Sequence, residues 1–225
     1  IIDESKKAGV KRFIYASTSS VYGIKEEQNV SEEMELEPLT QYSKLKVEIE
    51  HYLSYAFDEK FKGVIIRPST ICGYSPRQRL DLVVNILTNS AINKGWIKVL
   101  GGEQLRPNIH IQDMTDLYVQ LVNENINKIH GKTYNAGWDN LKVIEIAKLV
   151  QEVVGNVGME VVTTDDRRSY HVSSEKIRQE LGFKTKRTVK DAIEDLKKAF
   201  LEGKIGNCDD DRYYNVKMMK KLLRT

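Results

Sequence analysis

At 225 residues, 40% of them hydrophobic, the chain is long enough to bury a real core and to form one domain, or a domain with a smaller lobe. A net charge of +3 over 30% charged residues makes a mixed surface with no basic stripe, which argues against nucleic acid as a partner. The two cysteines, Cys72 and Cys208, and the four histidines fall at no metal or redox spacing. No signal peptide and no apolar run of membrane-spanning length occurs, so the expectation is a metal-free protein of the reducing cytoplasm without membrane contact.

In chain order, Ile1 to Gly9 reads as the end of a helix. A strand follows near residues 11–17, with Arg12-Phe13-Ile14-Tyr15-Ala16 as its buried run, then a small, hydroxyl-rich stretch to Gly23. The periodicity predicts a helix near 41–58, a strand near 61–67 and a helix near 79–94. Short strands are expected at Ile97 to Leu100, Asn108 to Ile111 and Thr133 to Ala136, with helices at Asp113 to Asn123 and Lys142 to Val154. Met159 to Thr163 reads as a further strand, followed by helices at Ser173 to Leu181 and Thr188 to Leu201. The acidic run Asp209-Asp210-Asp211 reads as a solvated turn, and Val216 to Leu223 as a short amphipathic helix. This alternation points to βα units on a parallel sheet, with no internal repeat or long linker.

The chemistry is concentrated near the start. Tyr42 and Lys46 lie four residues apart, so a helix places them on one face and lets the ammonium approach the phenol. A tyrosine titrates near pH 10, and a neighbouring cation that stabilises its phenolate suits it to general acid/base work. Such a pair also occurs by chance on surface helices. Thr18 adds weight, because the carboxyl end of a strand is where an α/β sheet presents ligand-binding groups.

The chain resembles the extended short-chain dehydrogenase/reductase family, the nucleotide-sugar epimerases and dehydratases, over nearly its whole length. Ser17 to Gly23 follows the family's S-[ST]-x-x-V-Y-G, Tyr42 to Lys46 its Y-x-x-x-K, Ile66 to Gly73 its L-R-x-x-x-x-x-G, and Arg106 to Asp113 its R-x-x-I-H-V-x-D. The resemblance implies an α/β, Rossmann-type doubly wound parallel sheet with a smaller α+β substrate-binding lobe. Residues 1–80 would belong to the cofactor-binding domain, and 81–225 mainly to the substrate lobe, interleaved with the last sheet elements. No glycine-rich pyrophosphate turn of the G-x-G-x-x-G kind occurs. With no initiator Met, the expectation is an N-terminally truncated member that lacks the first half of the sheet.

The resemblance also implies roles. Thr18, Tyr42 and Lys46 would be catalytic, and Ala16, Ser17, Tyr42, Lys46, Pro68 and Ser69 would line NAD, with NADP open. The substrate would be a nucleotide-diphosphate sugar. Arg106 and Arg168 match family arginines, and a planar guanidinium can hold two phosphate oxygens. Arg167 rivals Arg168. Arg79 and Asn85, read as lying on the helix after Pro76, are further candidates, with Arg77 beside them. Thr70 stands where epimerases often carry an Asn. His110 and Asp113 are read as structural, His110 satisfied in a strand and Asp113 capping the helix that follows it. A homodimer through the Thr40 to Asp58 helix is the family expectation.

Ser19-Ser20 follow Thr18 where dehydratases place Asp-Glu, so the expected reaction is C4 epimerisation through a 4-keto sugar, with Tyr42 as acid/base. The alternatives are a 4-keto-sugar reductase using the same residues and, in another class, a noncatalytic NAD-sensing or scaffolding member of the fold. The intact trio argues against the last.

Overall fold

The computed structural model of the chain describes residues 1–27, 29–164, 169 and 171–223. They open with α1 (Ile2–Lys7), β1 (Arg12–Ala16), a 3-10 turn (Ser19–Tyr22), α2 (Gln41–Ala56), β2 (Lys62–Pro68) and β3 (Thr70–Cys72). Then come α3 (Val83–Lys94), β4 (Trp96–Leu100), β5 (Leu105–His110), α4 (Ile111–Asn123), α5 (Ile126–Ile129), β6 (Thr133–Ala136) and β7 (Asp139–Lys142). The chain continues through α6 (Val143–Val154), β8 (Gly158–Val162), α7 (Glu175–Leu181), α8 (Val189–Leu201), a second 3-10 turn (Asp211–Tyr213) and α9 (Asn215–Leu222).

A parallel sheet in the order β1-β2-β6 carries the site. Parallel strands reward burial on both faces, and β2 is buried from Gly63 to Pro68. Val64 and Ile66 face one way, onto Met114, Leu117 and Leu121 of α4 and Ile177 and Leu181 of α7. Ile65 faces the other way, with Phe13 and Tyr15 of β1, onto Leu53 of α2 and Phe61. A mixed sheet, β3-β5-β7, and a parallel pair, β4-β8, build the rest, with α3, α6 and α8 packed around Ile97 and Val99 of β4. β6 comes late in the sequence yet joins β2, so the chain returns to its first sheet after passing through β3, β4 and β5.

The helix expected near 79–94 begins only at Val83. The Arg79 carbonyl is taken by Asn85 Nδ2 (2.8 Å) and Gln78 Nε2 (2.9 Å), which holds residues 79–82 as a loop, so Arg79 is not helical. Asp113 does not cap α4 either. That helix starts earlier, at Ile111, with His110 Nδ1 accepting from the Gln112 N–H at 3.1 Å. Asp113 instead accepts the backbone N–H groups of Lys186 and Arg187 and pairs with the Arg187 guanidinium at 2.7 Å, clamping the approach to α8. Two strands are additional to those expected. β3 follows β2 after a single residue, and β7 is too polar to alternate.

Gly63 shows how tightly α2 is seated. A Cβ there would lie 2.4 Å from the Phe13 carbonyl oxygen and 2.4 Å from the Phe57 ring. A backbone oxygen in a paired strand cannot move aside, so Gly63→Ala is expected to cost about 1–3 kcal/mol, read as a lower urea midpoint with an unchanged slope. An unchanged midpoint would mean that α2 can lift away from the sheet.

Candidate active site

The site forms at the carboxyl ends of β1 and β2. β1 ends at Ala16, and Thr18, in extended backbone, caps the 3-10 turn by accepting the Ser20 N–H at 3.2 Å. The same hydroxyl lies 2.9 Å from Ser20 Oγ. The turn ends at Gly23, whose φ of 72° and whose approach to Glu37, where a Cβ would sit 2.1 Å from the carbonyl oxygen, leave room for glycine alone.

A capping box starts α2. Thr40 Oγ1 accepts the Ser43 N–H and Ser43 Oγ accepts the Thr40 N–H, both at 3.1 Å. The box sets the helical phase, so Tyr42 lies in the first turn, 56% exposed, with Lys46 one turn on. Lys46 Nζ donates to the Ala16 carbonyl at 2.6 Å and stands 4.8 Å from the Tyr15 ring centroid and 5.7 Å from that of Tyr42. Burial lowers the Lys46 pKa below its ordinary 10.5, with Glu50 pulling the other way. The Tyr15 hydroxyl is buried without a partner, and burial first, then Glu50 and Tyr42, pushes its pKa up to about 12.

Beneath this surface runs a buried polar network. Glu50, one turn beyond Lys46, accepts from Ser17 Oγ and pairs with Arg67 of β2, whose Nη2 reaches it at 2.7 Å and whose Nε lies at 3.1 and 3.2 Å from its two oxygens. Both side chains are under a tenth exposed. Arg67 Nη1 donates to the Tyr22 hydroxyl (2.8 Å) and to the Glu32 carbonyl (3.2 Å). Tyr22 donates to Asn135 Oδ1 at 2.7 Å, and the Asn135 N–H donates to the Glu32 carboxylate at 2.6 Å. Burial dominates here too, raising Tyr22 to about 12 against the pull of Arg67, and raising Glu32 above the usual carboxylate range.

Tyr42 and Lys46 therefore stand at the Ala16 end of β1, which Ser17 and Thr18 continue, and the chain pairing brings in the end of β2. The Ser17 N–H donates to Ile66 O and the Ser69 N–H to Ala136 O, each at 2.7 Å. Ser69 Oγ is buried without a partner, against Gly137. Thr70 begins β3 opposite Asn108, and Arg106 lies in β5 opposite Leu141 of β7, with its Nη1 on the Leu105 carbonyl at 3.1 Å. Arg79 stands in the loop before α3, ion-paired with Asp81 at 2.9 Å. Asn85 is buried, and its amide is spent on the Gly73 N–H and the Arg79 carbonyl, away from any opening. Arg168 and Arg167 lie outside the described residues. Among those described, no group of His, Cys, Asp or Glu side chains could hold a metal ion, and no helix is long and apolar enough to cross a membrane.

The sequence reading passed over Glu50, Arg67, Glu32 and Asn135 as site elements. Arg67, one charge inside an apolar strand, and Glu50, four residues beyond Lys46 on the inward face, were signals for a buried pair. Glu32 and Asn135 left none.

A sequence model of the NAD dependent epimerase/dehydratase family matches residues 1–137. The chain belongs to this family. Within it, an uncharacterized UDP-glucose epimerase of Bacillus subtilis (strain 168) is 30% identical over 161 residues, which is 69% of this chain and 48% of that protein. The UDP-glucose 4-epimerase of the same organism is 24% identical over 220 residues, covering 87% of this chain and 64% of its own. Among solved structures, the UDP-glucuronic acid 4-epimerase from Bacillus cereus, in complex with UDP-glucuronic acid and NAD, superposes with a TM-score of 0.77 at 24% identity. That match covers 88% of this chain and 65% of the other, and it shows a shared Rossmann-type fold. The chain thus spans between 48% and 65% of the length of these relatives.

In this epimerase/dehydratase chain the Glu50–Arg67 pair joins α2 to β2. Glu50→Gln leaves a buried guanidinium without its counter-charge and is expected to cost on the order of 3 kcal/mol in equilibrium unfolding. A loss under about 0.5 kcal/mol, the range of ordinary surface substitutions, would show that water enters and relieves the charge.

Proposed function

We propose that the protein is an NAD-dependent nucleotide-sugar epimerase that oxidises and re-reduces C4 of the sugar. The observation that carries this reading is the seating of Lys46, with Tyr42 beside it, at the strand end that Thr18 follows, Lys46 being anchored on the Ala16 carbonyl at 2.6 Å. The match to the epimerase/dehydratase family, whose relatives include UDP-glucose 4-epimerases, supports it.

The residues present fit a nicotinamide cofactor. An ammonium has three donors, and Lys46 spends one on Ala16, which leaves donors for ribose hydroxyls. Ser69 Oγ, buried and unpartnered at the end of β2, offers a polar atom to the nicotinamide side beside Pro68. When bound, NAD accepts the hydride from C4 and returns it.

The remaining work falls to the chain. Tyr42, exposed at the helix start, takes the proton of the C4 hydroxyl as the carbonyl forms and gives it back on re-reduction. Lys46 stabilises the phenolate by charge, and its partial burial strengthens that interaction. Thr18 hydrogen-bonds the same sugar oxygen. Arg106 and Arg79 serve the anionic part of a nucleotide-diphosphate sugar, and Thr70 contacts the sugar. Ser19 and Ser20 supply no carboxylate after Thr18, so an elimination lacks the extra acid and base it needs, whereas reversible oxidation requires no such carboxylate.

The test is proton NMR of the intact protein with catalytic NAD+ and UDP-, GDP-, CDP- and dTDP-hexoses, following the anomeric and H4 signals. The expected result is a C4 epimer without net NADH. NADPH consumption on 4-keto sugars, with no epimer formed, would move the assignment to a reductase, and silence in both to a noncatalytic role.

Tyr42→Phe is expected to lower kcat by a factor of about 10² to 10⁴, in keeping with the loss of a positioned acid/base. Full turnover by that variant would remove Tyr42 from the chemistry. The pH profile has a definite sign. Lys46 must be protonated to act, and burial lowers its pKa from 10.5, so the alkaline limb of kcat falls below pH 10.5. A rate that holds level beyond that pH would contradict the role of its charge.

A further inference from the structure

The chemistry above makes no use of the C-terminal segment, yet that segment is tied to the loop that carries Arg79. The Leu80 N–H donates to the Tyr213 carbonyl at 2.9 Å, and Leu80 is fully buried with Tyr213, Leu196 and Ile205. Asp81 bridges two partners. Its Oδ1 accepts from Arg79 Nε at 2.9 Å, and its Oδ2 accepts the backbone N–H of Asn215, the first residue of α9, also at 2.9 Å. Arg77 Nη2 donates to Asn215 Oδ1 at 3.3 Å. None of the α9 residues is buried, so this junction is a principal attachment of the helix to the body.

The arrangement leaves Arg79 in a particular state. Gln78 and Asn85 hold its carbonyl from the inside, Asp81 holds Nε, and the two Nη groups carry no hydrogen bond to a described residue while the side chain remains 38% exposed. A guanidinium fixed at Nε presents its Nη pair as an oriented fork for two oxygens of one anion. Holding that fork in place before the ligand arrives removes part of the ordering cost of binding.

We propose that Asp81, anchored by the start of α9, positions Arg79 for a bidentate oxyanion of the substrate, which makes the C-terminal segment part of the substrate site. The inference rests on the nucleotide-sugar reading. The oxyanion is either the diphosphate or a carboxylate on the sugar, and both present paired oxygens to the fork. Asp81 and Asn215 are positioning residues. Neither is assigned contact with the ligand.

Asn215→Pro tests this beside Asn215→Ala, which loses the Arg77 contact but keeps the N–H and is expected to bind like the parent. Proline removes the one N–H that Asp81 receives from α9, suits the first position of a helix, and follows a residue, Tyr214, that is already extended at φ −125° and ψ 102°. Binding of UDP-glucose and UDP-glucuronic acid to the intact protein is measured by calorimetry for the parent, Asn215→Ala, Asn215→Pro, Arg79→Ala and the last two combined, with thermal midpoints recorded alongside. The expected result is about tenfold weaker binding for Asn215→Pro, with no further loss once Arg79 is already Ala, the non-additivity of coupled sites. Equal weakening for both ligands assigns the fork to the diphosphate. Weakening for UDP-glucuronic acid alone assigns it to the sugar carboxylate. Parent-like binding by Asn215→Pro, or losses that simply multiply, overturns the proposal. Absence of binding by the parent to these two ligands and to GDP-, CDP- and dTDP-hexoses overturns instead the nucleotide-sugar reading on which it stands. Should Asn215→Pro not fold, a chain ending at Tyr214, which keeps the Tyr213–Leu80 bond, carries the same comparison.

Discussion

Two opposite charges buried at the top of the first sheet are the constraint from which the site follows. Glu50 and Arg67 are each under a tenth exposed, and removing either would leave the other as an uncompensated buried charge. Burial works against the Arg67 charge, but Glu50 and the Tyr22 hydroxyl outweigh it and raise its pKa. Such a pair contributes less to net stability than to position, because its desolvation cost consumes most of its attraction. Its geometry is correspondingly demanding. Arg67 must enter from β2, Glu50 from α2, Ser17 from the end of β1 and Tyr22 from the following turn, so several separate segments are fixed by one cluster.

That fixing reaches the residues proposed to react. Glu50 is the next turn of the helix face that carries Tyr42 and Lys46, so holding Glu50 fixes the azimuth of α2. Ser17, bonded to Glu50, lies between Ala16, whose carbonyl receives Lys46, and Thr18. A shift of α2 by one residue would break both the buried pair and the lysine contact. The Thr40–Ser43 capping box secures the same helix from its other end. The reacting side chains themselves stay comparatively exposed, as access for a ligand requires, and their precision comes from the buried layer below.

Much of this was legible in the sequence, and the reasons for the rest are specific. The strand at Arg12 and the helix near 41–58 announced themselves through an apolar run and helical periodicity, and the four-residue spacing of Tyr42 and Lys46 needed only the helix to become geometry. Strand Thr133–Ala136 appears as expected. Arg67 could be placed in its strand, but its partner could not, because pairing across 17 residues depends on how α2 lies on the sheet. Asn85 and Arg79 show the converse. Both read as lying on one helix; Asn85 does lie in α3, but bonds from its amide and from Gln78 to the Arg79 carbonyl hold 79–82 as a loop and engage Asn85 there. Local periodicity is blind to such competition between side chains and helix bonds. His110 closes its strand as expected but also caps α4 in place of Asp113, because Asp113 is taken by Lys186 and Arg187, whose return to the helix local sequence does not announce.

The two sides of the site are held by different kinds of interaction, and the difference is physically appropriate. The side proposed for the chemistry rests on a sealed network, where an error of a fraction of an ångström would misplace the proposed general base, and a low dielectric keeps the charges rigidly oriented. The side proposed for the ligand rests on the Arg79–Asp81 pair, whose side chains are 38% and 20% exposed, where solvent screens the attraction and each partner can be exchanged at small cost. A substrate anion can engage that guanidinium without dismantling a buried pair. The weak attachment of α9, through its first N–H to Asp81, belongs with this exchangeable side. It can tune how the arginine is presented while the Glu50–Arg67 cluster keeps Thr18, Tyr42 and Lys46 in register.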